Sequence, residues 1–134
     1  MIDSATSQNT TADISRLVLS LLRELVTTNG FSRCVRTGAT PHTDVYIVSV
    51  FPDRGVTCNG YATATQIEAF INNNADLLDV PGNLAGGWFD DGTSETFLDV
   101  SRIYTDLDSA REAALAHSQK AIYCTRTGCS IAVN

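Results

Sequence analysis

The chain has 134 residues, of which 43% are hydrophobic and 18% charged, and its formal net charge is −6 at pH 7. That length fits one domain with its own hydrophobic core, and the composition is unlike that of a disordered or fibrous protein. The sequence pI of about 4.6 argues against electrostatic binding to nucleic acid or to an anionic membrane, because both need clustered positive charge.

The start of the chain carries no sequence signal for export or membrane insertion. No stretch reaches the roughly 18 apolar residues of a membrane span, and the polar residues 1–12 lack the basic region of a signal peptide. We therefore expect a cytoplasmic protein with a flexible lead-in at residues 1–12 and a single α+β domain at residues 13–134.

An apolar face with helical spacing follows this lead-in. Its members recur at the spacing of one side of a helix: Ile14, Leu17, Val18, Leu21, Leu22 and Leu25. Thr11 or Asp13 can cap the first turn, and Asn29-Gly30 supplies the left-handed residue that commonly ends a helix. The sequence therefore predicts an amphipathic first helix.

Two strands and a second helix are predicted next. Residues 44–51 have apolar side chains on both faces of an extended chain, which is typical of a central strand, whereas the more polar residues 56–61 suit an edge strand. The Thr65-x-x-Glu68 spacing is that of a capping box and predicts where the second helix begins. This helix is expected to bury its apolar residues: Ile67, Phe70, Ile71 and Leu78.

The last third of the chain predicts a hairpin, a helix and a closing strand pair. Residues 84–89 and 96–104 flank the segment DDGTS at 90–94, whose Asp-Gly pair is a β-hairpin signal. Asp106 can cap an Ala-rich helix, and residues 121–133 contain two short strands. The predicted order is α-ββ(β)-α-ββ-α-β(β), an α+β fold with a single mixed, mostly antiparallel sheet and about three helices.

The cysteines do not form a recognisable metal site. The chain has four of them, Cys34, Cys58, Cys124 and Cys129, and they lack the paired C-x₂-C spacing of structural zinc sites. Cys124 and Cys129 face each other across a predicted turn, so these two residues could form a disulfide or remain as two free thiols. In a reducing cytoplasm we expect four free thiols.

Other catalytic signatures are also missing from the sequence. His42 and His117 have no accompanying nucleophile motif, and no phosphate-binding loop is present. Six carboxylates lie between positions 90 and 108: Asp90, Asp91, Glu95, Asp99, Asp106 and Asp108. Turn and helix-cap positions account for most of them, and Asp99 alone projects from the middle of a strand. The sequence thus predicts no catalytic residue, no metal and no cofactor.

A candidate partner-binding surface remains at the predicted hairpin. Trp88 and Phe89 are adjacent in a strand, so alternation places one in the core and the other outward. Tryptophan is among the commonest residues at binding hot spots. Together with Asp90, Asp91 and Glu95, these aromatics form the surface that we expect to contact a protein partner.

The C-terminal part of the chain carries a set of short motifs: Gly86-Gly87-Trp88, Leu98-Asp99-Val100-Ser101, Ala110-Arg111-Glu112-Ala113, Gln119-Lys120-Ala121-Ile122-Tyr123 and Thr127-Gly128. Over residues 82–133, and more loosely over 66–81, the sequence resembles small uncharacterised proteins of actinobacterial genomes and their phages. The resemblance implies kinship and assigns no catalytic residue. It departs from the group at Cys124, a position that is often acidic there.

These observations favour a non-enzymatic phage or mobile-element accessory protein that acts by binding a host or phage protein, for example as an anti-defence inhibitor. The alternative is a small enzyme or ligand-binding protein whose site uses Asp99, His117 or a cysteine and is assembled only by the fold. Mimicry of nucleic acid by the acidic surface is a third interpretation, which the modest charge density disfavours. The sequence leaves the partner and the oligomeric state open, a homodimer included.

Overall fold

The computed structural model describes residues 11–41 and 44–133. The helices are α1 (Thr11–Thr28), α2 (Ala64–Asn73), α3 (Ala75–Leu78) and α4 (Leu107–Ala116), with a 3₁₀ turn at Pro52–Arg54. The strands are β1 (Gly30–Arg33), β2 (Tyr46–Ser49), β3 (Val56–Asn59), β4 (Asn83–Asp90), β5 (Glu95–Tyr104), β6 (Ala121–Cys124) and β7 (Cys129–Ala132). The predicted α+β fold with a mostly antiparallel sheet is confirmed.

The seven strands form one sheet, in which six lie in the order β1-β4-β5-β2-β6-β7 and β3 pairs with β5. β5 is ten residues long, and on one side it pairs with β3 through its first half and with β2 through its second half. Every pairing among the described strands is antiparallel. β2 lies between β5 and β6, as the prediction of a central strand requires.

The first helix has the predicted buried face. Val18, Leu21 and Leu25 are at most 2% exposed, and the other three members of the apolar face pack against them. Asn29 ends the helix in the left-handed region, at φ 66°, and donates its N–H to the carbonyl of Leu25 at 2.8 Å. Because α1 begins at Thr11, the last two residues of the predicted lead-in are helical; residues 1–10 lie outside the described part of the chain.

The start of the second helix was predicted at the wrong residue. Thr63, not Thr65, is the N-cap: its hydroxyl accepts from the N–H of Gln66 at 3.1 Å, and the Gln66 side chain accepts from the N–H of Thr63 at 2.9 Å. Both T-x-x-Q and T-x-x-E fit a capping box. A contact just before the helix decides between them. Buried Ala62 donates its N–H to the Thr96 hydroxyl of β5 at 3.0 Å, which fixes the position of the residue before the N-cap.

The second helix is also shorter than predicted, which gives four helices in place of about three. Asn74 interrupts it with φ −115° and ψ 21°, and α3 begins at the next residue. The buried Asn74 side chain donates to the carbonyl of Phe70 at 2.9 Å and accepts from the Arg54 guanidinium at 2.9 Å. Such side-chain bonds to the backbone compete with helix continuation.

The core lies between the helices and one face of the sheet. Strand alternation places Ala85, Leu98 and Val100 on this face under α1 and α2, and Val48 and Ile122 under α4. The small side chains of α4 let it lie close to the sheet, and its predicted cap is confirmed, since Asp106 accepts from the N–H of Ser109 at 2.9 Å. The opposite face of the sheet is the one that carries the candidate site.

None of the helices in the described part of the chain is both long enough and apolar enough to cross a membrane.

Candidate functional site: the open face of the sheet

A space of about 910 Å³ lies against the face of the sheet opposite the helices, within the range of about 300–1,000 Å³ that ligand sites usually have. Its lining also includes residues of α1 and of the adjoining loops. The floor contains Ile47, Ser49, Gly86, Asp99 and Ser101, which come from strands β2, β4 and β5. We call this space the hollow.

Asp99 is the half-buried carboxylate on that floor. Gly86 lies directly opposite it on β4, and a Cβ atom at Gly86 would be too close to Asp99 Oδ1 for both to fit. The Ser101 hydroxyl donates to Asp99 Oδ1 at 3.1 Å, and the Ser49 hydroxyl on β2 is close enough to lower the pKa of the same carboxyl group. A glycine on one strand and serines on two therefore hold the carboxylate flat against the sheet.

Burial is the main influence on the acidity of this group. It raises the pKa of Asp99 above its ordinary value, and the hydrogen bonds from Ser101 and Ser49 offset part of that rise by lowering the pKa. Asp99 takes part in none of the ion pairs formed by the described residues. Burial thus disfavours the ionised form of Asp99 in the hollow.

Aromatic side chains stand on both sides of this carboxylate. Trp88 is 55% exposed and stacks against Phe97 with ring centroids 6.0 Å apart. Tyr123 lies on β6 across the hollow and is 43% exposed. Because Phe97 and Asp99 are two residues apart on one strand, they share the open face at a separation of about 7 Å.

The charged side chains that line the hollow are acidic. Among the described lining residues these are Glu24 and Asp99, and none is Lys or Arg. Glu24 is already neutralised, since it accepts from the Arg33 guanidinium at 2.9 and 3.1 Å. Asp99 is therefore the lining carboxylate that lacks a cationic partner.

The structure separates the residues of the predicted partner-binding surface. Alternation and register place Trp88, Asp90 and Glu95 on the open face, with Asp90 directly opposite Glu95. Phe89 points to the helix side, where it stacks on Tyr61 with centroids 4.0 Å apart, and Asp91 lies exposed in the turn. Trp88 is thus the outward aromatic of the pair. Asp90 also stabilises the turn by accepting the N–H of Gly92 at 2.8 Å.

The residues of the enzymatic alternative are not brought together. Asp99 lies in the hollow, whereas His117 is the exposed C-cap of α4 and does not line it. His42 lies outside the described residues. All four cysteines are free, and Cys58 and Cys124 are buried. Hydrogen bonds from Thr127 lower the pKa of Cys124.

Within residues 11–41 and 44–133, no group of three or more His, Cys, Asp or Glu side chains is arranged to hold a metal ion. The six carboxylates that are close in sequence are spread over the turn, the cap of α4 and the sheet. Comparison with protein-family models, curated proteins and solved structures gives no match. The hollow is therefore the candidate functional site.

Asp99 provides a direct stability test of this site. We expect Asp99→Asn to stabilise the protein at pH 7 on the order of 1 kcal/mol, because the amide keeps the size and the hydrogen bonds but removes a half-buried charge. In the wild type the raised pKa means that the folded state binds this proton more tightly than the unfolded chain. Its stability therefore falls as pH rises from the ordinary Asp range through the folded-state pKa.

Thermal unfolding of the two proteins across pH checks this expectation. The stabilising effect of Asp99→Asn should be present at neutral pH and should disappear below the ordinary Asp pKa of about 3.9. Asp91→Asn, which removes the same charge from an exposed turn position, should shift the melting temperature little. A destabilising effect of Asp99→Asn at neutral pH would show that the carboxylate supports the fold instead.

Proposed function

We propose that this chain is a non-enzymatic binding protein that takes a basic segment of a protein partner on the open face of its sheet. The observation that carries the proposal is Trp88, more than half exposed beside a hollow whose described lining contains no cationic side chain. The resemblance of residues 82–133 to actinobacterial and phage proteins supports a role as a phage or mobile-element accessory protein. A host protein is then the natural partner, and inhibition of a host defence is one form of that role.

The exposure of Trp88 is the first argument. A large apolar ring that remains in water gains free energy when a partner covers it, and buried aromatics dominate the energetics of many interfaces. Stacking on Phe97 and the pairing of β4 with β5 hold the ring in place before binding. Less conformational entropy is then lost on association.

Charge complementarity is the second argument, and it selects a basic partner. Asp90 and Glu95 lie on the same face as Trp88, Asp91 is exposed in the adjoining turn, and the chain carries a net charge of −6. Acidic groups around an apolar anchor attract a positively charged segment and orient its approach. An acidic partner would be repelled by the same groups.

The interface can be located with two alanine variants. Trp88→Ala removes the proposed anchor, and Leu115→Ala removes an apolar side chain of α4 that is 58% exposed. Wild-type and variant proteins are immobilised and exposed to actinobacterial lysate. A partner retained by the wild type and by Leu115→Ala but lost from Trp88→Ala supports the proposal. Retention by all three, or by none, contradicts it.

The acidic side chains and the aromatic anchor should affect different rate constants. Changing Asp90, Asp91 and Glu95 together to Asn or Gln should slow association with the recovered partner and flatten its salt dependence, because rim charges act mainly on encounter. Trp88→Ala should instead raise the dissociation rate and weaken binding by about 2 kcal/mol, roughly 30-fold in Kd. Surface plasmon resonance at several salt concentrations measures both constants.

The charge control for this experiment removes three carboxylates elsewhere on the surface. Asp53, Asp108 and Glu112 are exposed on the 3₁₀ turn and on α4. Their joint replacement by Asn or Gln changes the net charge by the same amount. If both triple variants slow association equally, the overall charge of the protein is responsible and the hairpin is not the interface.

A further inference from the structure

We infer that the floor of the hollow around Asp99 is a subsite for a guanidinium group, supplied by an arginine side chain of the bound segment. The source of that side chain rests on the proposed function. The subsite itself rests on three properties of the hollow: open acceptor positions on one carboxylate, neighbouring aromatic rings, and the absence of a cation from its described lining.

The carboxylate has room for a bidentate ligand. An ionised carboxylate accepts about four hydrogen bonds. Ser101 donates one hydrogen bond to Asp99, and even with a second donor from the neighbouring Ser49 about two acceptor positions remain. Arginine presents two parallel N–H groups in a planar fork that matches such a carboxylate. A single ammonium group would match this geometry less well.

The rings beside Asp99 fit the rest of an arginine side chain. Phe97 is two residues from Asp99 on β5, and Trp88 is two residues from Gly86 on β4, so all four positions share the open face in two adjacent rows. A guanidinium and its aliphatic stem pack favourably on aromatic rings, because the cation interacts with the ring faces and the stem covers apolar area. The stacked pair Trp88–Phe97 therefore lies where the stem would run.

Charge disfavours anionic and neutral ligands. An anion would meet Asp99 with no cationic partner in the described lining, and a neutral group would leave the half-buried carboxylate uncompensated. Glu24 does not compete for the ligand, because Arg33 already pairs with it. Burial raises the pKa of Asp99, and a bound cation acts in the opposite direction. Binding thus offsets the cost of burying the charge.

The chain offers its own optical probe for this subsite. Trp88 is its only tryptophan, so a change in tryptophan fluorescence reports directly on the hollow. The ligands are two capped pentapeptides that are identical except at the centre, where one carries arginine and the other citrulline. Citrulline has nearly the shape of arginine without its charge, which makes it the matched neutral ligand.

We expect the wild type to bind the arginine peptide at millimolar concentrations or better and at least tenfold more tightly than the citrulline peptide. In Asp99→Asn this preference should fall to about one, whereas Asp91→Asn should retain it. Gly86→Ala provides a second variant, because it keeps the charge but displaces the carboxylate, and it should also lose the preference. Equal binding of the arginine and citrulline peptides to the wild type, or no binding of the arginine peptide, overturns the subsite.

Failure of the subsite and failure of the proposed function give different results. If the recovered partner requires Trp88 while the arginine and citrulline peptides bind equally, the interface stands and the guanidinium subsite is wrong. If free arginine amide binds as tightly as the arginine peptide and with the same dependence on Asp99, the subsite stands. In that case its ligand is a small organic cation, and the assignment to a protein side chain is wrong.

Discussion

Replacing Leu21 by alanine should lower the free energy of unfolding by about 2–5 kcal/mol, the range found when a fully buried leucine is truncated. Leu21 is 0% exposed and belongs to the part of the core between α1 and the sheet. The loss is the sum of the transfer free energy of the deleted atoms and the free-energy cost of the cavity that they leave. For a domain whose total stability is about 5–15 kcal/mol, this is a large fraction.

Leu19→Ala is the matched control, because Leu19 is on the same helix and 61% exposed. The free energy of unfolding should hardly change in this variant, because the substitution removes little buried area and alanine favours the helix slightly. Leu22→Ala should fall between the two, because Leu22 is half-buried. Urea unfolding of the three variants measures these differences. Similar effects at Leu21 and Leu19 would show that α1 is not packed on the sheet.

Gly87→Ala should also be strongly destabilising, by about 1–3 kcal/mol or more, because it adds volume to a filled region. A Cβ atom at Gly87 would collide with the ring of Phe31, which is 6% exposed and belongs to the core under α1. Because the ring belongs to this buried cluster, it can move away from the added Cβ atom only by displacing its neighbours. Thermal unfolding should therefore show a drop of several degrees in melting temperature.

The adjacent Gly86→Ala should behave differently, and the two variants control each other. The Cβ at Gly86 would clash only with a terminal oxygen of the Asp99 side chain, which can turn toward the open hollow, and its distances to its other near neighbours are ordinary van der Waals contacts. Stability should change little, while the preference for the arginine peptide is lost. Equal destabilisation by both substitutions would mean that the open face is packed as tightly as the helix face, and would contradict the description of the hollow.

Elements defined by local contacts could be predicted from the sequence. The apolar face of α1, its stop at Asn29 and the cap of α4 at Asp106 all depend on residues within one or two turns of the chain. The Asp-Gly signal likewise located the turn between β4 and β5. In each case the stabilising contact joins residues that are close in sequence, so the local sequence pattern is sufficient to predict the element.

The boundaries of α2 depended on residues far along the chain. Thr96 fixes Ala62 before the helix, and Arg54 binds the side chain of Asn74 that ends it. The sequence contains two capping boxes of equal quality, and its run Asn72-Asn73-Asn74 predicts a weakened but unbroken helix, which is wrong, because the helix ends at Asn74. Hydrogen bonds to β5 before the helix and to the 3₁₀ turn at its end select the observed boundaries.

Some features of the candidate site could likewise be predicted from the sequence, and others could not. The sequence by itself determined that one of Trp88 and Phe89 faces outward and that Asp99 projects from the middle of a strand, because strand alternation is a local property. Only the tertiary structure decided that Trp88 is the exposed ring and that Ser49, Gly86 and Asp99 meet on one floor. Three different strands supply those residues, and their register is set by backbone pairing and core packing across long sequence separations, which a pattern in one strand cannot encode.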